Sequence, residues 1–353
     1  EKRTMTQTTI PSPQKPWGTS IAQRLTTAAI LALAAVLAGA AVEFTGLSGK
    51  LGFAAAYFFF ASLLIFVQQL RLRDLAAAKD SLLSSFAFLA MTITLIPIAS
   101  IVSTVFIKGY KGIHFGMFTN DMTQASVNDP VQAGGLLHAL VGTIIMVGGA
   151  LIVSFPIGLL TALYLTEIRG NLARPIKFLV QAMSGVPSIV AGLFILSILV
   201  IPVTQELNGL MGSLALSILM IPTIARTAEE MLLLIPNDLR EAGVALGATQ
   251  WRTVSGVVVP AAKSGLVTAV ILGIARIIGE TAPILLVSGG ADALNFNPTS
   301  GPMGSLPFYI WKAFLTGGTE EAYARAWGGM LILLILIMVL FGLARYLSGR
   351  KVV

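Results

Sequence analysis

An all-α, polytopic membrane helix bundle is the fold this sequence predicts, and three observations predict it. Hydrophobic residues make up 56% of the 353 residues and charged residues only 11%, against roughly a quarter charged in soluble domains. Apolar runs of about 18 residues or more recur along the chain, the length an α-helix needs to cross about 30 Å of hydrocarbon. Lys and Arg crowd into alternate loops. Hydrocarbon offers no water to backbone N–H and C=O groups, so a spanning element is either a helix or part of a closed barrel, and runs this long select helices.

The runs place eight spans at about 26–44, 50–70, 82–107, 135–165, 176–201, 208–228, 262–289 and 326–346. The positive-inside rule orients them with both termini cytoplasmic. Lys2, Arg3, Lys15 and Arg24 precede the first span; Arg71, Arg73 and Lys79 follow the second. Arg169, Arg174 and Lys177, then Arg226, Arg240, Arg252 and Lys263, and finally Arg345, Arg350 and Lys351 fall on the same side. The opposite side holds only Lys50, Lys108, Lys111, Lys312 and Arg325, while Arg276 lies inside a span. Residues 1–25 read as a polar cytoplasmic tail, 26–80 as two N-terminal spans and 81–353 as a core. The run VLAGAAVEF resembles a signal-peptidase site, but the span directly behind it makes the first run an anchor. The first two spans contain no intramembrane Arg, Lys or Asp, so packing or assembly is their expected role.

Several function classes are excluded. The net charge of +7 is dispersed over loops and forms no patch for nucleic acid. The absence of cysteine removes disulfides, thiolate catalysis and cysteine metal sites. Two histidines, His114 and His138, are too few for a histidine metal centre and read as polar residues near a membrane surface. No Gly-x4-Gly-Lys-Ser/Thr loop occurs, so ATP hydrolysis is not expected of this chain. The expectation is a non-catalytic membrane subunit that binds no cofactor or metal itself. Prolines 97, 156, 187 and 222 fall inside predicted spans and read as kinks.

Between the sixth and seventh spans, Met231 to Pro260 is too long and too patterned for a simple connection. Asp238 as N-cap with Glu241 as its capping-box partner predicts a two-turn helix. Gly247 is placed to end it in a left-handed conformation. A second helix is expected from the cap Thr249 toward Pro260. Glu241-Ala242-Gly243, Gly247 and Val257-Val258-Val259-Pro260 together resemble the EAA motif of bacterial ABC importer permeases, Glu-Ala-Ala-x3-Gly-x9-Ile-x-Leu-Pro. Gly243 replaces the second alanine, and valines replace the Ile and Leu. In that family this helix docks on a cytoplasmic ATPase, so Glu241, Ala242, Gly243, Gly247 and Pro260 become the expected coupling residues.

A closer resemblance is to phosphate importer permeases of the PstA type. It is carried by the stretches His138–Ile168, Ser184–Phe194, Ile221–Val254 and Ala275–Leu286, and the resemblance extends over about the last 270 residues. The string Gly-Glu-Thr-Ala-Pro favours that type over its PstC sister. The family core usually has six spans, and two more precede it here. The resemblance implies a bacterial inner-membrane permease for inorganic phosphate. It also implies a PstC-like permease partner, a pair of ABC ATPase subunits carrying ATP and Mg, and an extracytoplasmic phosphate-binding protein. Membrane lipid surrounds the chain, and no nucleic acid is expected.

The stretch GIARIIGETAP concentrates the question of function. Arg276 lies about 20 Å along the seventh span from Lys263, near mid-membrane, where an arginine costs from about 2.5 to well over 10 kcal/mol. Gly265, Ala269, Gly273, Arg276 and Glu280 fall within roughly 80° of one another on a helix, on a face that is expected to point into protein. Arg276 and Glu280 can meet at i, i+4. Two readings stand: a self-neutralising staple between helices, or an anion site in which the guanidinium fork takes two oxygens of phosphate. The family resemblance, in which this Arg and Glu are implicated in transport, favours the second. Thr281 beside them, Ser188 after Pro187, and Arg226 between Thr223 and Thr227 complete the candidate translocation set; Arg226 also reads as a positive-inside charge. The rival functions are a permease for another oxyanion such as sulfate or molybdate, an ion-coupled anion carrier or channel, and a non-transporting scaffold.

Overall fold

The structure, a computed structural model, describes residues 21–46 and 49–348. The predicted tail up to residue 20 lies outside the described residues, as do Arg350 and Lys351. Helices α1 (Ile21–Phe44) and α2 (Gly49–Leu72) pair as a hairpin and α3 (Leu75–Gly109) follows. Next come α4 (Leu137–Leu163), widened into a π-turn over Tyr164–Ile168, α5 (Ala173–Ser184), α6 (Ser188–Ile195) with a π-helical extension to Thr204, and α7 (Gly209–Leu233). The segment between the sixth and seventh spans holds α8 (Asn237–Ala245), α9 (Gln250–Thr253) and α10 (Val259–Ala261). The chain closes with α11 (Lys263–Ile277), α12 (Ala282–Val287), α13 (Leu306–Thr316) and α14 (Glu320–Ser348). It divides into two compact units, one up to Ser100 and one from Ile101.

Among the described residues six helices are long and apolar enough to cross a membrane by themselves: α1, α2, α3, α4, α7 and α14. The two remaining predicted spans are not single helices. In place of 176–201, α5 and the helix starting at Ser188 meet at 105°. Pro187 cannot donate to a helical ladder and pushes Val186 out of the α region, and Gly185 opens the exit. In place of 262–289, α11 runs only 15 residues, about 22 Å, and stops short of the roughly 30 Å required. Helix resumes only at Ala282, with Pro283 in the opening positions of α12, where a missing N–H costs nothing. Pro97, Pro156 and Pro222 stay inside continuous helices, as kinks at most. Pro202 lies within the π-helical extension of α6, and Pro260 stands two residues past the π-turn Val254–Val258. Widened turns there relieve the clash between a proline ring and the carbonyl four residues earlier.

The second unit is organised around α7. Small residues line it (Gly209, Gly212, Ser213, Ala215, Ser217, Ala225 and Ala228 are all buried), so neighbours approach on several sides. Helix α4 packs along it, with Gly158 against Ile224 and Gly149 against Ser213. On another side α11 lies with Gly273 against Ile224 and Met220, and Gly265 against Met231. Met146, Leu216, Met220, Ile224, Ile277 and Ile284 share one core.

The stretch 290–325, expected as loop, contains α13. Ser305 Oγ accepts from Phe308 N at 3.3 Å, Pro307 stands in the first turn and Gly317 follows the end. Arg325, counted as an outer-loop charge, is 1% exposed and donates to the carbonyls of Asp129, Pro130 and Ala133 at 3.2, 2.6 and 2.5 Å. His138 is buried too, its ring edge-on to Tyr309. Helix α4 holds this region: Thr143 Oγ1 accepts from Leu306 N at 2.8 Å, and Gly142 lets the Gly304 carbonyl pass so closely that a Cβ would overlap it. Since backbone cannot yield as a side-chain tip does, Gly142→Ala is expected to destabilise the detergent-solubilised protein by about 1–3 kcal/mol. Gly148→Ala on the same helix, where a Cβ meets nothing within 4 Å, should leave the thermal midpoint unchanged or slightly raised. Equal midpoints for the two variants would contradict this packing.

Candidate functional site

The broken seventh span carries the candidate translocation residues. Arg276 occupies the last turn of α11, and Glu280 lies just past the helix end, its N–H bonded to Ile277 O at 3.1 Å. Freed from helical geometry, Glu280 folds back and its Oε1 accepts from Arg276 Nη1. The pair expected from the i, i+4 spacing therefore forms. Its burial is uneven: the Glu280 side chain is 15% exposed and that of Arg276 44%.

The small-residue stripe and the arginine part company. Ala269 and Gly273 are buried, and Gly265 and Gly273 face α7. Arg276 instead presents its guanidinium to the outside of this chain, so whatever it faces lies beyond the chain itself. Arg276 lies close in angle to Gly265 and Ala269, so its position along the helix makes the difference: it stands in the last turn of α11, beyond the Gly273 contact with α7. An exposed guanidinium in a membrane span faces lipid, a partner chain or a water-filled path, and lipid is the costliest of the three.

Ser188 begins α6 and Thr281 immediately precedes α12. These helices pack together, and a Cβ on Gly192 would lie 2.8 Å from Pro283 Cα. Ser188, Thr281, Glu280 and Arg276 thus belong to two helix breaks, one in each non-continuous span. Ser188 opens the helix that resumes after the break at Pro187. Arg226 is not brought to them. It is exposed on α7, two residues past the Ile224 that faces Gly273, and no carboxylate of the described residues pairs with it.

The segment from Met231 to Pro260 forms the expected two helices with one change at its start. Helix α8 begins at Asn237 behind Pro236, and Asp238 sits in the first turn, so the Asp238–Glu241 capping box does not form. Pro236, at φ −58 and ψ 143, adopts the cap backbone geometry and moves the start upstream. Asp238 still favours the positive helix end. At the other end Gly247 has φ +81, Gly247 N bonds Val244 O at 2.9 Å and Ala248 N bonds Gly243 O at 3.2 Å, a Schellman motif. Thr249 caps α9 by accepting from Arg252 N. Gly243 is buried, and a Cβ there would collide with Thr253 Cγ2 and Oγ1 at 2.5 and 2.8 Å. The glycine at this position is what lets α8 close on the following helix. Glu241 and Ala242 stay exposed, and Pro260 stands at the bend of 71° into α11.

A tie between this segment and α4 was not legible in the sequence. Arg240 Nη2 donates to Glu167 Oε1 at 2.9 Å and Nε to Oε2 at 3.1 Å. The same guanidinium reaches the carbonyls of Ile235 and Leu232 at 2.6 and 2.9 Å. Gln250 Nε2 adds a bond to Glu167 O at 2.8 Å. The side chains are 18% and 6% exposed. Beside them opens a cavity of about 790 Å³, whose lining includes Glu241, Val244 and Ala248. The one available hint was an acidic residue, Glu167, in a loop otherwise rich in Arg and Lys.

A family profile described as "Binding-protein-dependent transport system inner membrane component" matches residues 154–353. The chain is 37% identical over 278 residues to "Phosphate transport system permease protein PstA 1" of Mycobacterium tuberculosis (strain CDC 1551 / Oshkosh), covering 77% of this chain and 90% of that one. It is 38% identical over 278 residues to "Phosphate transport system permease protein PstA" of Mycobacterium leprae (strain TN), again covering 77% and 90%. A solved structure described as "Inward facing conformations of the MetNI methionine ABC transporter: CY5 native crystal form" is similar with a TM-score of 0.49 and 22% identity, over 61% of this chain and 93% of its own.

Breaking a buried ion pair from one side costs about 3–5 kcal/mol, because the other charge is left uncompensated. Arg240→Ala is therefore expected to loosen α8 and α9 from α4 and to raise the rate of tryptic cleavage at Arg252 by at least about tenfold. Arg240→Leu combined with Glu167→Leu should restore most of the resistance. Unchanged cleavage in Arg240→Ala would show that the pair does not hold the segment.

Proposed function

The chain belongs to the family of binding-protein-dependent transport system inner membrane components, and from that membership we propose that it is a permease subunit of an ATP-driven importer of inorganic phosphate. The observation that carries the reading is the guanidinium of Arg276, held by Glu280 at the break of a membrane span and turned outward from the chain. Phosphate carries between one and two negative charges at neutral pH, and the guanidinium fork matches two of its oxygens. Glu280 competes for the same fork, which keeps the anion weakly held and lets it leave. A second permease, PstC-like, faces Arg276 and completes the path. The breaks at Pro187 and before Pro283 supply helix ends whose backbone groups have no helical partner and which tolerate rearrangement as access alternates.

Coupling is assigned to α8. Its exposed Glu241 and Ala242 meet one subunit of an ATPase pair, which binds ATP and Mg; Gly243, Gly247 and Pro260 shape the helix, its end and the bend into α11. Arg240 and Glu167 carry the displacement to α4. Both termini lie in the bacterial cytoplasm, and a phosphate-binding protein delivers the anion on the opposite side. The whole set is tested by co-purifying the complex and measuring its ATPase activity in vesicles. Phosphate-loaded binding protein is expected to stimulate hydrolysis, sulfate and molybdate are not, and Glu241→Lys should abolish the stimulation at unchanged membrane abundance. Equal stimulation by sulfate would refute the substrate, and full stimulation in Glu241→Lys would refute the coupling role of α8.

A further inference from the structure

The unit that ends at Ser100 contains a groove for which translocation has no use. A cavity of about 800 Å³ lies between α2 and α3, and one of about 660 Å³ lies between the start of α1 and the end of α2. Leu31, Gln69 and Arg73 line both, so the two adjoin along a shared wall. The lining is graded: Arg24 and Arg73 stand at one end, and Phe58, Phe88 and Leu89 lie along the other. Hydroxyls on the α3 wall are turned back on their own helix. Ser81 Oγ donates to Ala78 O at 2.7 Å, Ser85 Oγ to Ser81 O at 2.8 Å and Thr92 Oγ1 to Phe88 O at 2.8 Å. Their polarity is satisfied locally, and their small size leaves width.

From Ala77 to Thr92 the α3 wall runs about 22 Å at 1.5 Å per residue, half of the roughly 40–45 Å of a whole bilayer. A groove of that length matches one leaflet, from headgroup to midplane. A transmembrane helix would need twice that length and would bury Arg73 against itself. No carboxylate of the described residues forms an ion pair with Arg73. Asp80 also lines the groove and opposes any second negative charge there. We propose that the groove holds one glycerophospholipid, its phosphate diester on Arg24 and Arg73 and one acyl chain between α2 and α3. This gives the two N-terminal helices a ligand of their own, independent of the phosphate path.

The test uses the full chain in detergent, loaded from mixed micelles with phosphatidylethanolamine, phosphatidylglycerol or diacylglycerol, washed, and read by native mass spectrometry. Wild type is expected to retain one phospholipid of either headgroup and no diacylglycerol, since the phosphate is the recognised group. Arg24→Gln with Arg73→Gln should lower retention roughly thirtyfold, from about 1 kcal/mol per basic residue near a membrane surface. Ser85→Trp, remote from both arginines, fills the groove and should displace the lipid independently, so the proposal stays testable if the double variant folds poorly. Retention unchanged in either variant, or equal retention of diacylglycerol, would overturn the site. So would a photoreactive group at position 88 that labels protein instead of lipid.

Discussion

The desolvation of Arg276 is the constraint on which the candidate path depends. A guanidinium near the bilayer centre needs a counter-charge within reach, yet a counter-charge fully engaged on one helix leaves nothing for a transported anion. The chain meets both demands by ending α11 one residue after Arg276. Glu280, outside the helix, can turn back to the arginine, while the guanidinium remains the more exposed member of the pair. An unbroken helix would place both on a single rigid face. Pro283 and Gly279 are therefore as much a part of the site as the two charges.

Rigid surroundings keep that break local. Gly265, Ala269 and Gly273 seat α11 on α7, and Ile277, Ile278 and Ile284 on either side of the break join the same core as Met220 and Ile224. Apolar anchoring before and after the interruption confines the irregular backbone to residues 278–281. At the opposite extreme of α11, the bend at Pro260 leads into a segment fastened to α4 by Arg240 and Glu167. The Arg276–Glu280 pair and the Arg240–Glu167 tie are thereby linked through one short helix packed along α7. Under the proposed function, this is the route by which a displacement of α8 reaches Arg276.

Features set by local chemistry were legible in the sequence. Eight apolar runs, the Arg276–Glu280 spacing, the left-handed Gly247 and the Thr249 cap each depend on residues within a few positions of one another. Features set by competition or distance were not. Pro187 breaks its span while Pro97, Pro156 and Pro222 do not: two residues before Pro187 stands Gly185, which frees the backbone, whereas the same position before the others holds Leu95, Ser154 and Met220, none of them glycine. Helix α13 has a cap, an early proline and a terminal glycine, but at 11 residues it is shorter than any window that seeks a span. Arg240 and Glu167 are 73 residues apart, and nothing near either one announces the other. The exposure of Arg276 depends on what lies outside this chain, which no pattern within it can specify.

The anion-site account differs from a structural ion pair in what happens when both charges are removed together. A staple is replaceable by well-packed apolar residues of similar volume, whereas an anion contact is not. The direct measurement is phosphate uptake by Arg276→Leu/Glu280→Leu at matched membrane abundance, in vesicles supplied with the ATPase and binding-protein partners. Arg276→Lys is measured beside it, keeping the charge and losing the planar fork. The account predicts that the double variant assembles but takes up no phosphate, and that the lysine variant falls strongly. Near-normal uptake by the double-leucine protein would contradict it and leave Arg276 and Glu280 as a structural pair.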